Sequence, residues 1–113
     1  MRKDDLVYVA HSLATARRVA DKVRGVDRRA FDADENLRLA LVHLLQVIGE
    51  TAARVSPIFR EAHPSVPWKA MAGMRNRIVH DYLNVDDDIV WRTATVEVPA
   101  LVKSLEGIKP ASS

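Results

Sequence analysis

Arg75, Asn76, His80 and Tyr82 fall within eight consecutive residues, and together they hold the parts of a phosphodiester cleavage site that needs no metal. A guanidinium can grip a phosphate and stabilise the extra negative charge that develops on it during displacement. An imidazole that titrates near neutrality can take or give the proton. Four residues separate Arg75 from His80, and a single residue separates His80 from Tyr82. That spacing puts the group on about two turns of a predicted helix.

The elements that must carry these residues are helical. Leu6, Ala10, Leu13, Ala16, Ala20 and Val23 recur at three- and four-residue steps, which predicts a first amphipathic helix from about Lys3 to Arg24, stopped by Gly25. Asp32 or Asp34 can cap a second helix, whose Leu37, Leu41, Leu44, Leu45 and Ile48 form the strongest apolar stripe, ending near Ser56 before Pro57. Pro57, Pro64 and Pro67 make the next connection, with room for one short helical turn from Ile58 to Ala62. A third helix is predicted from Val66 to Tyr82, with Ser65 before it and Trp68, Met71, Met74 and Ile78 as its core stripe. After the break at Leu83-Asn84-Val85, Asp86, Asp87 and Asp88 open a fourth helix that runs to about Leu105, with a kink expected at Pro99 and a stop at Gly107. Strand signals are absent: no alternation of β-branched residues and no Asn-Gly or Asp-Gly turn occurs. The expected fold class is an all-α, antiparallel up-and-down bundle of four main helices in a single domain over residues 1–109, with 110–113 as a frayed tail.

Composition narrows the function classes. The chain has 113 residues, 48% hydrophobic and 28% charged, which suits one folded domain. With no cysteine, disulfides and thiolate chemistry are excluded, and a reducing compartment fits. No apolar run approaches the ~20 residues of a membrane span and no signal peptide is evident, so a cytoplasmic protein without membrane attachment is expected. The net charge of +2 argues little about nucleic acid. Arg17, Arg18, Lys22, Arg24, Arg28 and Arg29 do crowd the first third, either as solvated helix-end charges or as an RNA track.

On a straight helix Arg75 and Tyr82 share one face, and Asn76 and His80 share another, turned by about 100 to 140 degrees. Either Arg75 bends toward His80, or the groups line a groove completed by a second copy of the chain across a two-fold axis. Glu50 on the second helix is the evident carboxylate partner for Arg75, in a supporting role. Arg77 faces away and reads as a solvated or interface charge. Asn76 either orients His80 across one turn or lies exposed. Tyr82 reads as a core aromatic with an outward hydroxyl, or as a nucleophile toward a modifying enzyme. Trp91 reads as core or dimer interface. His11, His43 and His63 lack ligand spacing, and Asp86, Asp87 and Asp88 diverge around a helix start, so no metal site is expected.

Several ordered stretches resemble the HepT-like toxins of the HEPN superfamily: Ile48-Gly49-Glu50, Val66-Pro67-Trp68, Gly73-Met74-Arg75-Asn76 followed by Val79-His80-Asp81-Tyr82, and then Asn84-Val85-Asp86 and Val90-Trp91. Thr51 stands where the family commonly has Ala. The resemblance covers most of the chain. It implies a HEPN-type bundle that forms a homodimer, with the two motifs meeting in an interface cleft. It also implies a metal-independent endoribonuclease without cofactors, acting on RNA as the toxin of a toxin-antitoxin pair. Arg75 and His80 would be the catalytic pair and Asn76 the polar residue beside them. Tyr82 would receive AMP from an MntA-type minimal nucleotidyltransferase, the antitoxin, which silences the toxin. The competing expectation is a non-catalytic subunit that binds substrate or nucleotide for such a nucleotidyltransferase.

Overall fold

The computed structural model describes residues 3–81 and 84–108, the side chains of Lys3, His80 and Asp81 aside. Its elements in chain order are α1 (Lys3–Val23), α2 (Arg28–Ala33), α3 (Glu35–Ala53), α4 (Pro57–Ala62), α5 (Trp68–Ala72), α6 (Met74–Ile78), β1 (Val79–Asp81), β2 (Asn84–Val85), α7 (Asp87–Arg92) and α8 (Val98–Glu106). A π-helical turn, Thr93–Glu97, joins α7 to α8. The architecture is the expected all-α bundle, with a short two-stranded ribbon added to it.

α1 and α3 run antiparallel, and side-chain hydrogen bonds mark the pairing. The Asp5 carboxylate near the start of α1 accepts from the Ser56 backbone N–H at 2.8 Å and from its hydroxyl at 2.7 Å, just past the end of α3. Farther along, the Ser12 and Thr51 hydroxyls bond to each other. Asp5, Ser12 and Thr15 are therefore buried on the same side of α1 as Val9, Ala16 and Val19, while Ala10 is exposed. The buried face of α1 is thus rotated from the purely apolar stripe, because polar residues that find partners inside cost little to bury.

Helix starts follow the cap chemistry. Asp34 accepts from the Leu37 N–H at 2.9 Å to open α3. Asp27 does the same for Ala30 at 2.8 Å, opening α2, a helix that the apolar periodicity does not predict. α2 is anchored by Phe31, fully buried against the half-buried Trp91 with ring centroids 5.0 Å apart, so Trp91 lies against the core. Arg28 ties α2 to Asp88 on α7 at 2.6 Å, and its hydrogen bonds to Asp32 and Asp88 raise its pKa. Ser56 caps α4, with Pro57 in the first turn, so the single turn expected after Pro57 is a helix of six residues. Ser65 makes no cap: α5 begins after Pro67 without a side-chain hydrogen bond. The proline-rich connection is held instead by Trp68, whose indole N–H donates to the His63 carbonyl at 2.9 Å and whose ring meets Phe59 edge-on at 6.1 Å.

The fourth helix is interrupted where proline demands it. Pro99 has no N–H and its ring crowds the carbonyl four residues back. The chain responds in the turn before it, where the Val98 N–H bonds to the Thr93 carbonyl, five residues back. The irregularity expected at Pro99 is thus a widened turn over Thr93–Glu97.

α3 and α5 come close together at Gly49. A Cβ on Gly49 would lie 3.0 Å from the Met71 carbonyl oxygen and 3.5 Å from that of Ala72, both of them backbone atoms that cannot swing aside. Replacing Gly49 by Ala gains about 1 kcal/mol of helix propensity but overpacks this contact, which costs about 1–3 kcal/mol. Gly49→Val adds bulk without that full gain. We expect Gly49→Val to lower unfolding stability by about 2–3 kcal/mol in urea melts, and Gly49→Ala by less; an unchanged midpoint for Gly49→Val would show that the close approach is not a constraint.

Candidate active site

Met74 and Ile78, four residues apart, are both buried and set the rotation of α6. With about 100 degrees per residue, Arg75 and Asn76 are then turned outward, and both are exposed. Arg77 comes round toward the neighbouring helix and is half-buried. Its guanidinium pairs with Glu97 on the π-helical turn through two nitrogens, at 2.9 and 3.5 Å. Arg77, still partly solvated, ties α6 to the π turn.

Arg75 stays uncommitted. Among the described residues it forms no ion pair, and the expected partnership with Glu50 is not formed, both side chains being exposed. Glu50 follows Gly49 at the point where α3 meets α5, so it stays close in sequence to the scaffold of the site but not on its arginine.

The third helix does not reach Tyr82. It is broken at Gly73 into α5 and α6, and α6 ends at Ile78, where Val79 turns extended with φ −120° and ψ 106°. Two things take over from helical bonding. Val79 pairs with Val85, and Asp81 with Asn84, in the antiparallel ribbon. The Asp86 N–H then donates to the Ile78 carbonyl at 2.9 Å, while the Asp86 side chain caps α7 by accepting from the Ile89 N–H at 3.1 Å. β-branched Ile78 and Val79 favour this exit from the helix. His80 consequently sits on β1, two residues beyond the helix, and its side chain is outside the described residues, as is all of Tyr82. The expected helical faces, Arg75 with Tyr82 and Asn76 with His80, do not apply across this ribbon.

Next to Asn76 lies an open groove of about 560 Å³ lined by Asn76, Arg77, Ile89, Arg92 and Glu97. Sequence spacing could not reveal it, because Glu97 is twenty residues from Arg77 and reaches it only through the π turn. The proline that forces that turn was the one legible signal.

Half of the basic cluster of the first third is neutralised among the described residues. Arg17 pairs with Glu106 at 2.7 Å, Arg24 with Asp21 at 2.7 Å, and Arg28 with Asp32 and Asp88. His11 and His43 are exposed on different helices and His63 stacks near Phe59, so they share no site. Among the described residues no three His, Asp or Glu side chains are grouped to hold a metal, and no helix is long and apolar enough to cross a membrane.

Comparison with known proteins points the same way. The family model described as "Ribonuclease HepT-like" matches residues 13–108, a span that includes the whole Arg75 to Tyr82 stretch. A candidate RNase of Caldanaerobacter subterraneus is 37% identical over 101 residues, covering 89% of this chain and 90% of the relative. One from Methanocaldococcus jannaschii is 30% identical over 105 residues, covering 93% and 96%. A candidate ribonuclease HepT of Thermococcus cleftensis is 28% identical over 107 residues, covering 95% and 94%. No solved structure matches significantly. The chain, an all-α bundle carrying Arg75, Asn76 and His80 at the junction of α6 and its ribbon, belongs to the HepT-like ribonuclease family.

Proposed function

We propose that this protein is a metal-independent endoribonuclease that acts as the toxin of a toxin-antitoxin pair. Arg75 and His80 carry the chemistry, Asn76 assists, and two copies of the chain form the cleft. The observation that supports this most is the state of Arg75: exposed, on a helix rotated by buried Met74 and Ile78, and without an ion-pair partner among the described residues. Arg77, by contrast, is engaged by Glu97. An unpartnered guanidinium beside an amide is ready for an anion.

The reaction needs little more. The ribose 2′-hydroxyl attacks the adjacent phosphorus, the O2′–P bond forms, and the P–O5′ bond breaks. The imidazole of His80 moves the proton, from the attacking hydroxyl or to the departing O5′. Arg75 offsets the charge that builds on the non-bridging oxygens, and Asn76 adds a neutral donor there. DNA, lacking the 2′-hydroxyl, is spared. A two-fold axis would set two such groups side by side and double the local positive charge.

Purified protein is expected to degrade RNA in EDTA, with His80→Ala and Arg75→Ala each reducing the rate by about a hundredfold or more while the helical spectrum is kept. Undiminished cleavage by His80→Ala contradicts the assignment, and absence of any cleavage by the intact chain favours a non-catalytic binding subunit.

Silencing by AMP addition to Tyr82 follows the same physics. The modification sets a bulky anion two residues from His80, where it competes for Arg75 and obstructs the cleft. Co-expression with an MntA-type nucleotidyltransferase should raise the intact mass by AMP units that map to Tyr82. A chain of unchanged mass, inhibited all the same, would mean that complex formation alone silences it.

A further inference from the structure

The groove beside Asn76 has the makings of a substrate subsite. Its lining contains two arginines and one glutamate, so one positive charge is left over after the Arg77–Glu97 pair is made. That surplus belongs to Arg92, which is exposed at the end of α7 and has no ion-pair partner among the described residues. Ile89, one turn earlier on α7, is half-buried and supplies an apolar patch of wall next to it. On the other side the groove opens on Asn76, adjacent to Arg75. Arg77 is not fully satisfied either: its Nε is buried without a hydrogen-bond partner although its two terminal nitrogens hold Glu97. One free guanidinium and an apolar wall beside Asn76 are what a single strand of nucleic acid requires, a phosphate contact and a surface for the sugar or base.

We propose that this groove seats the RNA strand beside the cleaved phosphate, with Arg92 contacting a neighbouring backbone phosphate and Glu97 restraining Arg77 from doing so. The proposal rests on the ribonuclease reading for the position of the scissile bond, but the binding itself can be measured separately. Arg92 is a positioning residue: it holds the strand and takes no part in bond breaking. Glu97 limits affinity, since its carboxylate neutralises Arg77 and repels phosphate. Without that restraint the groove would present two free cations and grip any polyanion more strongly.

The test is equilibrium binding of a labelled single-stranded RNA oligonucleotide at several salt concentrations, in the full chain carrying His80→Ala so that nothing is cut. Adding Arg92→Ala should weaken binding by roughly tenfold. It should also reduce the slope of log affinity against log salt by about 0.7, the value for one lost contact to a single strand. Adding Glu97→Gln should tighten binding and steepen that slope. Arg18→Ala, which removes an exposed charge on α1 outside the groove lining, should change affinity by less than about twofold if the basic residues of the first third are solvated charges and not an RNA track. An unchanged slope in Arg92→Ala overturns the assignment, and so does an equal loss in Arg18→Ala, which would make the effect one of net charge. Cleavage by the unmutated chain, run in parallel, separates the two readings. RNA bound through Arg92 but never cut removes the ribonuclease reading and keeps the groove, whereas RNA cut normally by the Arg92→Ala single variant removes the groove and keeps the ribonuclease.

Discussion

The site depends on one close contact. At Gly49 the backbone of α3 lies so near the Met71 carbonyl that a Cβ would fit only tightly. This holds α5 against α3, which carries the strongest apolar stripe. α6 follows through Gly73 and is pinned by Met74 and Ile78, so the outward direction of Arg75 and Asn76 is set by packing on both sides of a short connection. A helix of five residues would not hold by itself, since isolated helices that short are unstable in water. It is the contact at Gly49, with the buried residues behind it, that turns a few residues into a platform stiff enough for chemistry.

Charges around that platform are divided by whether they have partners. Arg77 is drawn to Glu97, a partly exposed pair worth about 0.5 kcal/mol at most after screening, but well placed to orient both residues. Arg75 and Arg92 remain open to solvent. The π turn makes this division possible. Pro99 prevents regular helical bonding in the preceding turn, and the extra residue accommodated there brings Glu97 opposite Arg77. A local cost in backbone regularity thus organises the groove, in keeping with the frequent occurrence of π turns near functional sites.

Much of this was legible from the residues, and the misreadings have a common cause. The long helices, the cap at Asp34, the acids opening α7 and the stop at Gly107 all follow from local chemistry, and they were readable for that reason. Failures came where a distant partner overrode the local pattern. Asp5 and Ser12 turn α1 because Ser56 and Thr51 await them. Phe31 makes a helix of a connection because Trp91 is there to cover. The third helix stops at Ile78 because Val85 and Asp86 offer its backbone other bonds. The motif residues themselves were found by type and spacing, yet their mutual geometry was drawn for a continuous helix. With His80 on the ribbon, the distance from Arg75 is governed by the turn at Val79, and helical phase no longer decides which motif residues face one another.

The central claim is that the chain cuts RNA through the substrate's own 2′-hydroxyl, with Arg75 and His80 supplying charge and proton transfer. The most direct test uses an oligoribonucleotide whose cleavage position has been mapped, compared with the same molecule carrying one 2′-deoxy sugar immediately 5′ of the cut. The account predicts that this single change abolishes cleavage at that bond, and that the parent RNA yields a cyclic 2′,3′-phosphate and a free 5′-hydroxyl. Continued cleavage at the deoxy position would contradict it, because the nucleophile would then have to be something other than the substrate's own hydroxyl.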